Sequence, residues 1–144
     1  MSDSTTVEGK SSDLQGSFPA VDPGAKPLGA RVLVQLRRTK KKTSASGIIL
    51  VEETRETEKW QNMVGKVIEL GPLAFKKRDT MEPWVEGIWC EVGDFIRVPK
   101  WGGDRWEVPD PDNKDEDPVL FMVLNDHEVI AKLTGDPLAM KAFI

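Results

Sequence analysis

"ARVLVQLRR", residues 30–38, places Val32, Val34 and Leu36 at every second position, with Arg31, Leu33, Gln35 and Arg37 between them. Successive side chains of an extended chain point to opposite faces, so a period of two predicts a strand with one buried face. The pattern recurs along the chain. "MVGKVIELGP" (63–72) reads as a second strand stopped by Gly71-Pro72. "FIRV" (95–98) follows a turn at Gly93-Asp94 and ends at a proline. "PVLFMVL" (118–124) and "HEVIAKL" (127–133) read as the last two strands, joined around Asn125-Asp126. Ten prolines and twelve glycines separate these runs. Regular 3.6-residue apolar patterns are scarce, so the fold class expected is all-β.

The 144 residues suffice for one compact domain with a core. A net charge of −4 opposes the basic field that nucleic-acid binders usually carry. Cys90 and His127 are the only cysteine and histidine, so a disulfide within the chain is impossible and a Cys/His zinc site lacks ligands. The N-terminus has neither the basic start nor the apolar centre of a secretory signal. "VLFMVL" is far too short to span a membrane. These features predict a soluble, cytoplasmic protein without metal or cofactor. In "DPDNKDEDP", Lys114 takes the third ligand position of a calcium loop and Asp115 replaces its essential glycine. "WGGD" lacks the spacing and the Lys-Ser/Thr of a phosphate loop. No catalytic residue is assigned, and an enzyme is not expected.

Composition divides the chain further. Residues 1–25 are rich in Ser, Thr, Asp and Gly and read as a disordered tail. Residues 26–133 form the domain. Within it, residues 73–90 are polar with scattered aromatics and suit a long hairpin or lid, and residues 109–118 form an acidic, solvated loop. Residues 134–144 are an extension in which Asp136 can cap a helical turn begun by Pro137.

"KKKTSASGIILVEETRETEKW" (40–60) sets four aliphatic residues, Ile48 to Val51, between a basic run and an acidic one. One reading makes them a core strand after the turn "TSASG". The other makes them a docking motif in a long loop. Non-alternating apolar residues between long polar flanks of weak strand propensity favour the second. The basic run "RRTKKKT" could meet phosphates but more simply keeps the flank solvated. Trp60, Trp84, Trp89, Trp101 and Trp106 could stack on single-stranded nucleic acid, which makes a nucleic-acid-binding β-barrel the rival function. Tryptophans more commonly serve cores and interfaces.

Taken in order, these segments resemble the GroES-type co-chaperonins, the chaperonin-10 family. Pro27, Leu28, Arg31 and Val32 match the family's first strand. Gly47, Ile48, Ile49 and Leu50 match its mobile loop, Gly65, Val67 and Gly71 its Gly-x-Val-x-x-x-Gly, and Val92, Gly93 and Asp94 the turn before a strand. The resemblance spans about residues 26–133. It implies a small irregular β-barrel that assembles as a homo-oligomer, a heptameric ring, and caps an ATP-bound GroEL-type chaperonin around an unfolded client protein. It assigns chaperonin binding to Gly47, Ile48, Ile49 and Leu50 in a mobile loop of about 38–59. It puts Trp84, Trp89 and Trp101 near the roof or the cavity. The first strand of one subunit (Arg31, Val32, Leu33, Val34) is expected to pair with the last strand of its neighbour (Val129, Ile130, Ala131). Neither nucleic acid nor membrane is an implied partner. The GroES-like domain of zinc alcohol dehydrogenases is a poorer match, because the zinc ligands and the nucleotide domain are missing. The long tail, the bulky 73–90 segment, the acidic insert and the extension depart from the family pattern. A divergent member, such as one encoded by a phage and acting in its host's cytoplasm, would fit them.

Overall fold

The computed structural model describes residues 14–38 and 63–139. Its strands are β1 (Arg31–Leu36), β2 (Val64–Leu70), β3 (Phe95–Arg97), β4 (Asp104–Val108), β5 (Val119–Asn125) and β6 (Ala131–Lys132). They form one six-stranded sheet in the order β4-β5-β1-β2-β3-β6, every pair antiparallel. The architecture is the expected small, irregular all-β barrel.

Alternation in β1 and β5 sorts apolar side chains to two faces. Val32, Val34 and Leu36 of β1 meet Leu120, Met122 and Leu124 of β5 in the main core, with Val67, Ile96, Val98, Phe75 and Cys90. Leu33 meets Val119 and Phe121 on the other face, where Val21, Ile68, Trp106 and Val108 pack against them. β1 therefore has two buried faces rather than the one expected. Leu33 is completely buried, and Gln35 is buried with its Nε2 donating to the Pro19 carbonyl at 2.7 Å. A polar side chain is tolerated there because its amide has a partner.

Two glycines let neighbouring segments approach closely. A β-carbon on Gly65 would land on the Val34 side chain, and one on Gly71 would land on the Gly29 carbonyl. Only a residue without a side chain admits these approaches.

Four expectations need correction. Residues 14–25 are not a disordered tail but pack along the sheet. Phe18 is buried edge-on against Phe95, with ring centroids 5.1 Å apart, and Trp106 Nε1 donates to the Pro23 carbonyl at 2.9 Å. One ring–ring contact, one indole hydrogen bond and buried apolar area offset an ordering cost that composition alone made too high. "DRWEV", assigned no element from the sequence, is β4. Its Trp106 and Val108 do alternate, but charged neighbours mask the signal. "HEVIAKL" is not a full strand. Residues 126–128 turn as a 3₁₀ helix, and only Ala131–Lys132 pair with β3. Finally, the acidic loop is not wholly solvated, because Asp110 is buried.

Candidate functional site

The expected docking residues Gly47, Ile48, Ile49 and Leu50 lie outside the described residues, as does Trp60. The points where their segment leaves and rejoins the sheet are described. Leu36 of β1 pairs with Gly65 of β2, and the Arg37 N–H donates to the Val64 carbonyl at 2.9 Å. Residues 39–62 thus begin and end at neighbouring positions of one antiparallel pair, where a tight turn would suffice to connect the strands.

That exit point is strongly held. Arg38 is 7% exposed although it belongs to the run "RRTKKKT". Its Nη1 meets Asp110 Oδ2 at 2.9 Å, with both side chains buried. Its Nε and Nη2 donate to the Gly16 carbonyl at 3.1 and 2.8 Å, and its backbone N–H donates to the Ser17 carbonyl at 2.9 Å. Asp110 is in turn held by the Asp112 N–H at 3.0 Å. A buried charge needs such compensation, and a planar guanidinium can meet several oxygens at once. Arg37 Nη1 donates to the Pro137 carbonyl at 2.6 Å. Sequence reasoning missed this cluster because Arg38 and Asp110 are 72 residues apart and each sits in a run that reads as solvated.

Residues 73–90 rise as an irregular hairpin. Lys76 bridges Pro83, and the Lys77 N–H donates to the Glu82 carbonyl at 2.7 Å. Trp84 and Trp89, expected near the roof or the cavity, stand at the foot of this hairpin, packed against the main core. They meet edge-on at 5.0 Å, and both contact Phe75. Trp84 Nε1 donates to the Lys76 carbonyl at 3.1 Å, whereas the buried Trp89 Nε1 has no hydrogen-bond partner. Trp101 is the opposite case, 70% exposed on a Gly102-Gly103 turn, with Lys100 Nζ 5.6 Å above its ring.

The expected subunit-contact residues divide. β1 is an inner strand with both edges paired, so Arg31–Val34 offers no free edge, and Val32, Leu33 and Val34 are wholly buried within the subunit. β6 does end the sheet. Val129 turns into the core, while Ile130 is 60% exposed and Ala131 is exposed. Trp89, Ile88 and residues 129–132 line an open groove of about 510 Å³ along that end.

Chemical machinery is sparse. Burial, reinforced by nearby Asp94, pushes the Cys90 thiol up to about 11, so it stays protonated at neutral pH and is a poor nucleophile. Among the described residues, no group of three or more His, Cys, Asp or Glu could hold a metal ion, and no helix is long and apolar enough to cross a membrane. Three of the four described tryptophans are packed, and Trp101 is the exposed one among them.

Comparison with known families gives one result. Residues 24–133 match the family described as Chaperonin 10 Kd subunit. No curated protein matches the chain significantly. The match covers well over half of the chain, and the chain belongs to the chaperonin 10 family, the GroES-type co-chaperonins.

Proposed function

From this membership, we propose that the protein caps the ATP-bound state of a GroEL-type chaperonin as a seven-membered ring, enclosing unfolded client protein. Ile48, Ile49 and Leu50, presented by Gly47, dock on the chaperonin from the loop of about 38–59, which is anchored at Arg38 and beyond it stays mobile until bound. The observation that carries the reading is that the paired positions Arg37 and Val64 are separated in sequence by the whole of residues 39–62. A chain that needed only to connect β1 and β2 would not require it.

The energetics suit a reversible cap. Burying each aliphatic side chain contributes about 1.5–3 kcal/mol. Fixing each loop residue costs about 1–2 kcal/mol. One loop therefore binds weakly, and several loops on one ring bind strongly together. Weak single sites also allow a nucleotide-driven change in the chaperonin to release the cap.

In the ring, the open β6 end with Ile130, Ala131 and the adjoining groove receives the neighbouring subunit. An exposed strand edge is otherwise a template for uncontrolled pairing. Trp101 faces the enclosed space. The cytoplasm, where chaperonin and ATP occur together, is the compartment this activity requires.

The direct test is to mix the protein with a GroEL-type chaperonin, with and without ATP, and look for co-elution. An ATP-dependent complex is expected. No complex under either condition, with the ring intact, overturns the proposal.

A further inference from the structure

Three parts of this chain have no role in the capping reading: the N-terminal segment before residue 24, the acidic loop, and the segment after residue 133. The first and the last lie outside the family match. All three converge on two consecutive residues at the end of β1. The N-terminal segment supplies the Gly16 and Ser17 carbonyls to Arg38. The acidic loop supplies the Asp110 carboxylate and, at 3.5 Å, the Asp117 carbonyl to the same side chain. The C-terminal segment supplies the Pro137 carbonyl to Arg37.

We infer that these three segments form one collar around Arg37 and Arg38, which fixes the point and direction in which the chain leaves the sheet before residue 39 and so makes Arg37 and Arg38 positioning residues for capping. The inference rests on the capping reading. Arg37 and Arg38 follow directly on β1 and are gripped by different segments, Arg37 by the C-terminal one and Arg38 by the N-terminal segment and the acidic loop. Two consecutive side chains held by separate segments restrain the backbone between them more than either does alone. The arginines themselves need not touch the partner. Their acceptors are mostly backbone carbonyls, so the collar tolerates side-chain change in residues 16, 17, 117 and 137 while demanding that each segment stay docked. Docking of the N-terminal segment depends in turn on Phe18 against Phe95 and on Trp106 holding Pro23.

A collar matters to a multivalent cap for a geometric reason. Several loops gain from avidity only if they can reach their sites together. A loose exit spreads the directions each loop samples and lowers the chance of simultaneous engagement. The loss multiplies over the ring.

The test uses full-length Arg37→Gln, Arg38→Gln, Phe18→Ala and the Arg38→Gln/Phe18→Ala pair. The concentration giving half-maximal co-elution with ATP-loaded chaperonin is measured beside amide exchange at residues 37 and 38 in the free protein. Arg37→Gln removes the hydrogen bond to Pro137 while leaving the buried Arg38–Asp110 pair in place, and so guards against outright misfolding. Expected are at least tenfold weaker capping by each variant with the ring still assembled, and a pair no worse than Arg38→Gln alone, because both remove the same restraint. Amide exchange at residue 38 should rise at least tenfold in Phe18→Ala. Unchanged capping in all single variants, or fully additive losses in the pair, overturns the collar. If the unaltered protein caps nothing, the capping reading fails by itself. Exchange then decides whether the collar exists: unchanged exchange in Phe18→Ala overturns it.

Discussion

The buried carboxylate of Asp126 accepts the backbone N–H of Phe75 at 2.9 Å, across 51 residues of sequence. Phe75 is fully buried and has a φ of 61°, a left-handed conformation that bulky residues rarely adopt. The other Asp126 oxygen takes the His127 N–H at 2.8 Å, and the Asp126 N–H donates to the Ala30 carbonyl at 2.9 Å. One residue thus joins the foot of the 73–90 hairpin to the end of β5 and the entry to β1.

Asp126→Ala should therefore destabilise the fold by about 2–4 kcal/mol, since it leaves a buried N–H unpaired beside a strained residue. Urea unfolding followed by tryptophan fluorescence would read this directly, because Trp84 and Trp89 pack on Phe75. A loss below about 0.5 kcal/mol would show that Phe75 holds its conformation without Asp126.

Asp110→Ala should cost about 3–5 kcal/mol, because it strands the Arg38 charge in a buried site. The loss should change little between low and high salt, since ions screen buried pairs poorly. An exposed pair would contribute about 1 kcal/mol or less and fade with salt, and either result would contradict the burial found here.

Cys90 gives the fold a dependence on alkaline pH. Its thiol titrates at about 11 in the folded chain against 9.0 when unperturbed. Below pH 9 both states hold the proton and the full stability is present. Between pH 9 and 11 the unfolded thiol ionises first, and up to about 2–3 kcal/mol is lost. Cys90→Ala should remove this part of the pH profile, so the stability gap between the two proteins narrows as pH rises to 11. A gap independent of pH would mean that the thiol is not desolvated.

Ile130→Asp should break the ring without unfolding the subunit, because Ile130 is exposed on the β6 end rather than in the core. Native mass spectrometry should show the ring replaced by monomers, with an unchanged far-ultraviolet spectrum. An intact ring at micromolar concentration would move the subunit boundary elsewhere.

Ile49→Asp should do the reverse, leaving fold and ring intact while abolishing capping. A carboxylate entering an apolar groove costs several kcal/mol in every loop at once. Unfolding or ring loss on this change would identify residues 48–51 as a core strand and end the docking account.

Much of the barrel was legible from residue order alone, because a strand declares itself locally. Val32, Val34 and Leu36 alternate whatever surrounds them, and the stops at Gly71-Pro72 and Gly93-Asp94 are local too. The family pattern is carried by the same short motifs, including Gly65 and Gly71, where the structure shows the close backbone approaches that demand glycine. Tertiary structure alone decided which edges are free, what covers the second face, and which charges are buried. A run of alternating residues states that a strand exists but not how many neighbours it has, and β1 proved to be internal. Arg38 and Asp110 each lie in a run of charges that water would solvate equally well. What buries them is their meeting across 72 residues, together with the carbonyls of a segment whose composition reads as disordered. Such pairing is a property of the folded chain, because its cost and its compensation fall on residues that are far apart until the sheet brings them together.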